Sequence, residues 1–263
     1  MNKILAIASI TVKGELRNKV VYILLAIAFL FLFMARGCTP GKITIQNGFL
    51  SPDQIINMGI VITFSGILIW GLSLCGLLAM NTIPRELVEE TLILTITKPV
   101  KRISFLLGKF LGVLFIVFIN MMALSIGFLI LLYLRTGVVK LSIFSGLIVA
   151  FLNFVLIISL IFLFSLFLPR VISALLTFSI YVISLGLSIP FYFEKIKVYW
   201  EPSLPTQLLH YLLPQMGGLH LYASSFLSDF FPSSMGFWSA MDITGYIIVV
   251  WLVMVFIFER KEI

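Results

Sequence analysis

Residues 141–168 read LSIFSGLIVAFLNFVLIISLIFLFSLFL, with no charged residue among them. A helix needs about 20 apolar residues to cross the hydrocarbon of a bilayer, so this run is long enough by itself. In lipid the backbone must satisfy its own hydrogen bonds, and a helix does so. The pattern recurs on both sides. Further apolar runs lie at Val20–Ala35, Asn57–Met80, Ser104–Leu134, Val171–Pro190 and Met241–Phe258, none charged at its centre. The ten prolines, at 40, 52, 84, 99, 169, 190, 202, 205, 214 and 232, fall between the runs or at their ends, where a missing backbone donor costs little. The expectation is an all-α, polytopic integral membrane protein with six transmembrane helices in one domain over residues 1–263.

Composition agrees. Apolar residues make up 61% of the chain and charged residues 11%, against about 45–50% and 25% in soluble domains. So few charges could not cover that much apolar surface in water. The net charge of +7 follows the membrane rather than nucleic acid. Twelve of the 18 Lys and Arg fall on one set of connections (Lys3, Lys13, Arg17, Lys19, Arg85, Lys98, Lys101, Arg102, Lys109, Arg170, Arg260, Lys261) and six on the other. The positive-inside rule then places both termini in the cytoplasm, with the excess charge against the anionic leaflet. The two cysteines, Cys38 and Cys75, set no disulfide framework.

Residues 1–19 are too polar to cross. Leu5, Val12 and Leu16 share one helical face and Lys3, Lys13 and Arg17 another, while Ile7 and Ile10 spoil the separation. An amphipathic helix on the cytoplasmic surface is expected. Outside, residues 37–56 form a loop of roughly 20 residues, and the larger segment 191–240 carries Tyr192, Tyr199, Trp200, Tyr211, Tyr222 and Trp238. Aromatics suit the interface. Its stretches Leu208–Leu213 and Leu219–Phe231 are apolar but too short to span, so half-inserted outer helices between spans five and six are expected.

The connection 81–103 is the most informative. Pro84 suits the first turn of a helix, and Glu86, Glu89 and Glu90 then lie near that helix's positive end on one face. Like charges at these spacings repel each other, and an anionic membrane repels them too. A soluble partner therefore explains the acidic face better than lipid does. After a turn at Lys98-Pro99, the cations Lys101, Arg102 and Lys109 return the chain to the headgroups.

The runs Ile83-Pro-Arg-Glu-Leu-Val-Glu-Glu-Thr-Leu92, Thr97-Lys-Pro-Val-Lys-Arg102 and Phe105-Leu-Leu-Gly-Lys-Phe-Leu-Gly112 resemble the signature of ABC-2-type permeases. Within that family the chain is most similar to permeases of nitrous oxide reductase maturation transporters. It departs from the family pattern in Val88-Glu89-Glu90, where a Gly often precedes the Thr, and in the long loop 37–56. The resemblance implies the membrane subunit of an exporter, paired with a second permease copy and with two separate ATPase subunits that bind ATP and Mg. It implies a bacterial or archaeal cytoplasmic (inner) membrane. Arg85, Glu86, Glu89, Glu90 and Thr91 would then belong to the coupling helix that enters a groove on the ATPase, and Lys98, Pro99, Lys101, Arg102 and Lys109 would anchor the loop. The second and fifth spans would line the path between protomers.

Catalytic patterns are absent from the sequence. Gly37-Cys-Thr-Pro-Gly-Lys42 falls one residue short of a P-loop, with Ile43 where Ser or Thr belongs. No His-Glu-x-x-His or Gly-x-Ser-x-Gly occurs, and no carboxylate or His lies central in a span. Arg36 argues against a lipoprotein cleavage site at Cys38. His210, Met216, His220 and Met235 fit no compact metal-ligand spacing, so no enzyme chemistry, bound cofactor or metal is expected of this chain. Asp242 sits near the start of the last run, where it can reach water. Asn120 and Asn153 suit bonds between helices, and Ser173, Thr177, Ser184 and Ser188 in the fifth span suit close helix approach. That stripe reads as a dimer seam or, alternatively, as a polar conduit. A second functional reading is a mechanotransmission subunit that passes ATPase motion to an external accessory protein without moving a solute.

Overall fold

The computed structural model describes residues 3–17, 19–35, 52–88, 102–137, 139–192, 203–227 and 236–260. Every regular element among them is an α-helix. In chain order these are α1 (Lys3–Arg17), α2 (Lys19–Ala35), α3 (Pro52–Val88), α4 (Arg102–Thr136), α5 (Ser142–Ser165), α6 (Arg170–Tyr192), α7 (Leu204–Leu212), α8 (Met216–Ser225) and α9 (Gly236–Arg260).

Helices α3, α4, α5, α6 and α9 are long and apolar enough to cross a membrane. The first of the six expected spans differs. With 17 residues, α2 is about 26 Å long, a little short of a hydrocarbon layer of ~30 Å. A sixth crossing is reached if α1 and α2, bent by 67° to each other, act as one. Among the described residues there are thus five crossing-length helices, or six on that condition.

The sharpest reversal is local to sequence. Gly137 ends α4 with a positive φ of 69°, and its N–H donates to the Tyr133 carbonyl at 2.9 Å. Glycine reaches this left-handed conformation without a Cβ penalty. Residues 139–141 then lead directly into α5. This turn marks one end of the bundle, called the turn end below. The opposite end, where α3 leads into α4, is the loop end.

Helix α5 is the centre, packed by α3, α4, α6, α8 and α9. Its Phe154, Leu156, Ile157, Ile158, Ile161 and Phe162 are buried. Lipid tails are as apolar as leucine, so burial drives little here; close packing and interhelical hydrogen bonds hold the helices together. Phe110 of α4 meets Phe162 of α5 and Trp251 of α9 edge-on, at centroid distances of 6.1 and 4.9 Å. Trp251 Nε1 also donates to Ser159 Oγ at 3.1 Å. One aromatic cluster thereby ties three crossing helices together.

Candidate functional site

Helices α3 and α4 are both longer than a bilayer's hydrocarbon is thick. Their 37 and 35 residues make rods of about 55 and 52 Å, against a hydrocarbon layer of ~30 Å. Helix α3 runs on through Pro84 to Val88. A new helix beginning at Pro84 is therefore not what forms. Pro84 removes only the donor to the Met80 carbonyl. Just before it, the Asn81 amide donates to the Leu77 carbonyl at 2.8 Å and the Thr82 hydroxyl to the Leu78 carbonyl at 2.7 Å.

Arg85 and Glu86 lie in the last turns of α3. Glu89, Glu90, Thr91, Lys98, Pro99 and Lys101 fall outside the described residues. Arg102 is the first residue of α4. Lys109 departs from expectation: instead of reaching the headgroups it is buried, its ammonium 5.7 Å from the centroid of the Phe105 ring. A long apolar stem lets it pack within protein where the sequence suggests open solvent.

Helix α1 is docked on this end of α4. A Cβ at Gly108 would lie 2.7 Å from the Ile7 Cβ, and one at Gly112 would lie 2.7 Å from the Thr11 Cβ. Backbones approach this closely in membranes where small residues recur every four positions. The docked arc of α1 runs through Ile4, Ile7, Ala8 and Thr11. Ile7, which breaks the amphipathic pattern in sequence, is thus part of the docking surface.

At the turn end, α7 and α8 are joined by an elbow at residues 213–215. The C-terminal end of α8 is near the turn. Lys140 Nζ donates to the Leu227 carbonyl at 3.0 Å and to Asn57 Oδ1 at 2.6 Å. Its N-terminal end lies deeper, beside Asn153, which is about 17 Å along α5. Non-helical backbone at such depth is tolerated only when protein satisfies it, and the elbow 213–215 is satisfied from three helices. The Ser184 hydroxyl donates to the Pro214 carbonyl (2.7 Å) and accepts from the Gly217 N–H (3.1 Å). Asn153 Nδ2 donates to the Met216 carbonyl (3.0 Å). The Gln215 N–H donates to Asp242 Oδ2 (2.9 Å), and the Ser239 hydroxyl to Gln215 Oε1 (3.1 Å). A carboxylate beside the first residues of α8 also suits the positive end of that helix.

Two glycines give α8 its slot. A Cβ at Gly217 would lie 2.5 Å from the Leu185 Cα, and one at Gly146 would lie 2.6 Å from the Ala223 carbonyl oxygen. Farther up α8, His220 Nδ1 is 2.9 Å from the Tyr181 hydroxyl. His210 on α7 is held below the usual imidazole range by burial, with the nearby Asp242 pulling it partly back.

The stripe Ser173, Thr177, Ser184 and Ser188 is buried along one face of α6. Its expected close approach is made within the chain, where Ser184 and Ser188 adjoin Gly217 of α8. Ser173 and Thr177 bond to carbonyls of their own helix. Asn153 bonds across helices as expected, whereas Asn120 Nδ2 donates to the Ile116 carbonyl of its own helix. Asp242, expected to reach water, instead closes the elbow. Its signal in the sequence was a lone carboxylate in an apolar run, which has no partner visible until Gln215 folds against it. Among the described residues, no three of His, Cys, Asp and Glu come together as metal ligands.

Ser184→Ala removes a donor and an acceptor from the elbow at once. A loss of about 1–3 kcal/mol is expected, because a buried N–H is left unpaired. It should show as earlier thermal unfolding in detergent. Ser179→Ala, on the exposed side of the same helix, should leave the transition in place. Equal transitions for both variants would count against the elbow's role.

Several crossing-length apolar helices packed around a central one define a polytopic helical membrane protein. The family model described as "Protein of unknown function (DUF2705)" matches residues 23–263. That is most of the chain, which therefore belongs to the DUF2705 family. No curated protein matches it.

Proposed function

We propose that this chain is the membrane-spanning permease subunit of an ATP-driven ABC transporter of the exporter type, working as a dimer with separate ATPase subunits. The supporting observation is the loop end. There Arg85 and Glu86 stand in the last turns of α3, and Glu89, Glu90 and Thr91 follow in the chain. Three carboxylates within five residues suit docking to a basic groove on a soluble motor. ATP and Mg then belong to the partner, and this chain contributes motion and a path. The path would run between copies along the outward faces of α3 and α6. Those faces are apolar: Ile62 and Ile69 on one, Leu175, Phe178 and Val182 on the other are exposed. On this reading the protein sits in a cytoplasmic membrane with both termini and the loop end inside.

Two experiments test this. Co-expression with candidate ATP-binding subunits should yield a complex that hydrolyses ATP in proteoliposomes; a permease that captures none of them contradicts the reading. Hydrolysis stimulated by an external protein, with no solute moved, would instead favour mechanotransmission. For topology, Gly48→Cys and Thr95→Cys in a background lacking Cys38 and Cys75 are exposed to a membrane-impermeant thiol reagent on intact cells. Position 48 should label and position 95 should not. The opposite pattern reverses the orientation.

A further inference from the structure

We propose that α1 is a contact element for anionic phospholipid headgroups, fixed to α4 so that the lipid charge at that leaflet acts on the helix that begins at the α3–α4 connection. The proposal is independent of the transporter reading. It starts from what the docking leaves unused. The arc through Ile4, Ile7, Ala8 and Thr11 meets α4 and Val12 packs against the core, but Leu5, Leu16 and the cations lie outside that arc. Leu5 is 59% exposed and Leu16 38% exposed. Lys13 and Arg17 are exposed next to them around the helix, and Lys19 follows at the start of α2.

Exposed Leu5 and Leu16 beside exposed cations match one environment: the boundary between acyl chains and acidic headgroups. Charge complementarity selects the lipid class. Zwitterionic headgroups offer no net attraction to Lys13 and Arg17, whereas anionic ones do. Gly108 and Gly112 then have a second consequence. A helix that merely floated on the surface would pass nothing to the bundle. One whose backbone is notched into α4 moves with it.

The test uses full-length protein with Cys38 and Cys75 replaced by Ala and a fluorophore on Leu16→Cys. It is reconstituted in phosphatidylcholine alone or mixed with phosphatidylglycerol. Both leaflets have the same composition, so the orientation of the protein does not enter. Quenching by brominated acyl chains should be markedly stronger in the anionic mixture. Reversing Lys13 and Arg17 to Glu should abolish the difference, with roughly a fivefold change in surface occupancy per cation removed. Because both residues are exposed, folding should be unaffected. Equal quenching in the two lipids, or no effect of the reversal, overturns the proposal. Gly112→Val examines the notch separately. Spin labels at Leu16 and Leu111 should give a narrow distance distribution in the parent and a broad one in the variant, while lipid contact persists. A distribution that stays narrow would mean that the notch does not fix α1 to α4.

Discussion

Valine at position 217 is expected to keep α8 from seating. The new side chain would have to occupy space already filled by the backbone of α6, at the Leu185 Cα and the Ser184 carbonyl oxygen, each 2.5 Å from its Cβ. Neither backbone atom can yield by a rotamer change. Displacing α8 would also break the Ser184–Gly217 and Asn153–Met216 hydrogen bonds. Overpacking and orphaned buried polar groups together should cost on the order of 4 kcal/mol, a large share of a typical domain's stability. Loss of monodisperse protein after detergent extraction is the expected result. Gly245→Val is the control, since a Cβ there meets nothing within 4 Å. If the two variants extract alike, the slot is not as tight as described.

Glu86, Glu89 and Glu90 all changed to Lys should abolish capture of the ATPase if the proposed coupling is right. Removing one partner from a close, partly dry charge pair typically costs about 2–5 kcal/mol, and reversal adds repulsion. A thirtyfold or greater loss of affinity is therefore the minimum expected. Insertion should be unaffected, because these positions follow the apolar run Asn57–Met80. Co-purification of the ATPase and its hydrolysis rate would be measured with membrane insertion checked in parallel. Wild-type capture by the triple variant would remove the main support for the permease reading.

Apolar runs of crossing length need no partner to be recognised, so α3, α4, α5, α6 and α9 were legible in the sequence. The limits of legibility are equally physical. α2 is short enough for its crossing to depend on α1, and no period in Val20–Ala35 records the bend between them. The α7–α8 pair was visible as two stretches too short to span, but its depth was not. That depth is set by Gly146, Ser184 and Asn153, which are far from residues 204–225 in sequence. The same holds for Asp242, whose partner is a backbone N–H rather than a cation. Serine and threonine on α6 read as a dimer seam or a polar conduit, whereas Ser184 and Ser188 adjoin Gly217 of α8 in the same chain. Ile7 looked like noise in an amphipathic helix because the wheel shows one boundary, whereas α1 meets three surroundings.

The slot filled by α8 also bears on biogenesis. Asn153 and the Met216 carbonyl it bonds are 63 residues apart in the chain. At about 5–20 residues per second of synthesis, roughly 3–13 s separate their emergence. Within that interval the rest of α5 and all of α6 are made, and Asn153 and Ser184 wait for the partners that α8 brings. A nascent chain paused before residue 216 would carry these polar groups unsheltered, the kind of lesion that membrane quality-control proteases act on. Completion of α8 converts that vulnerable intermediate into a closed bundle.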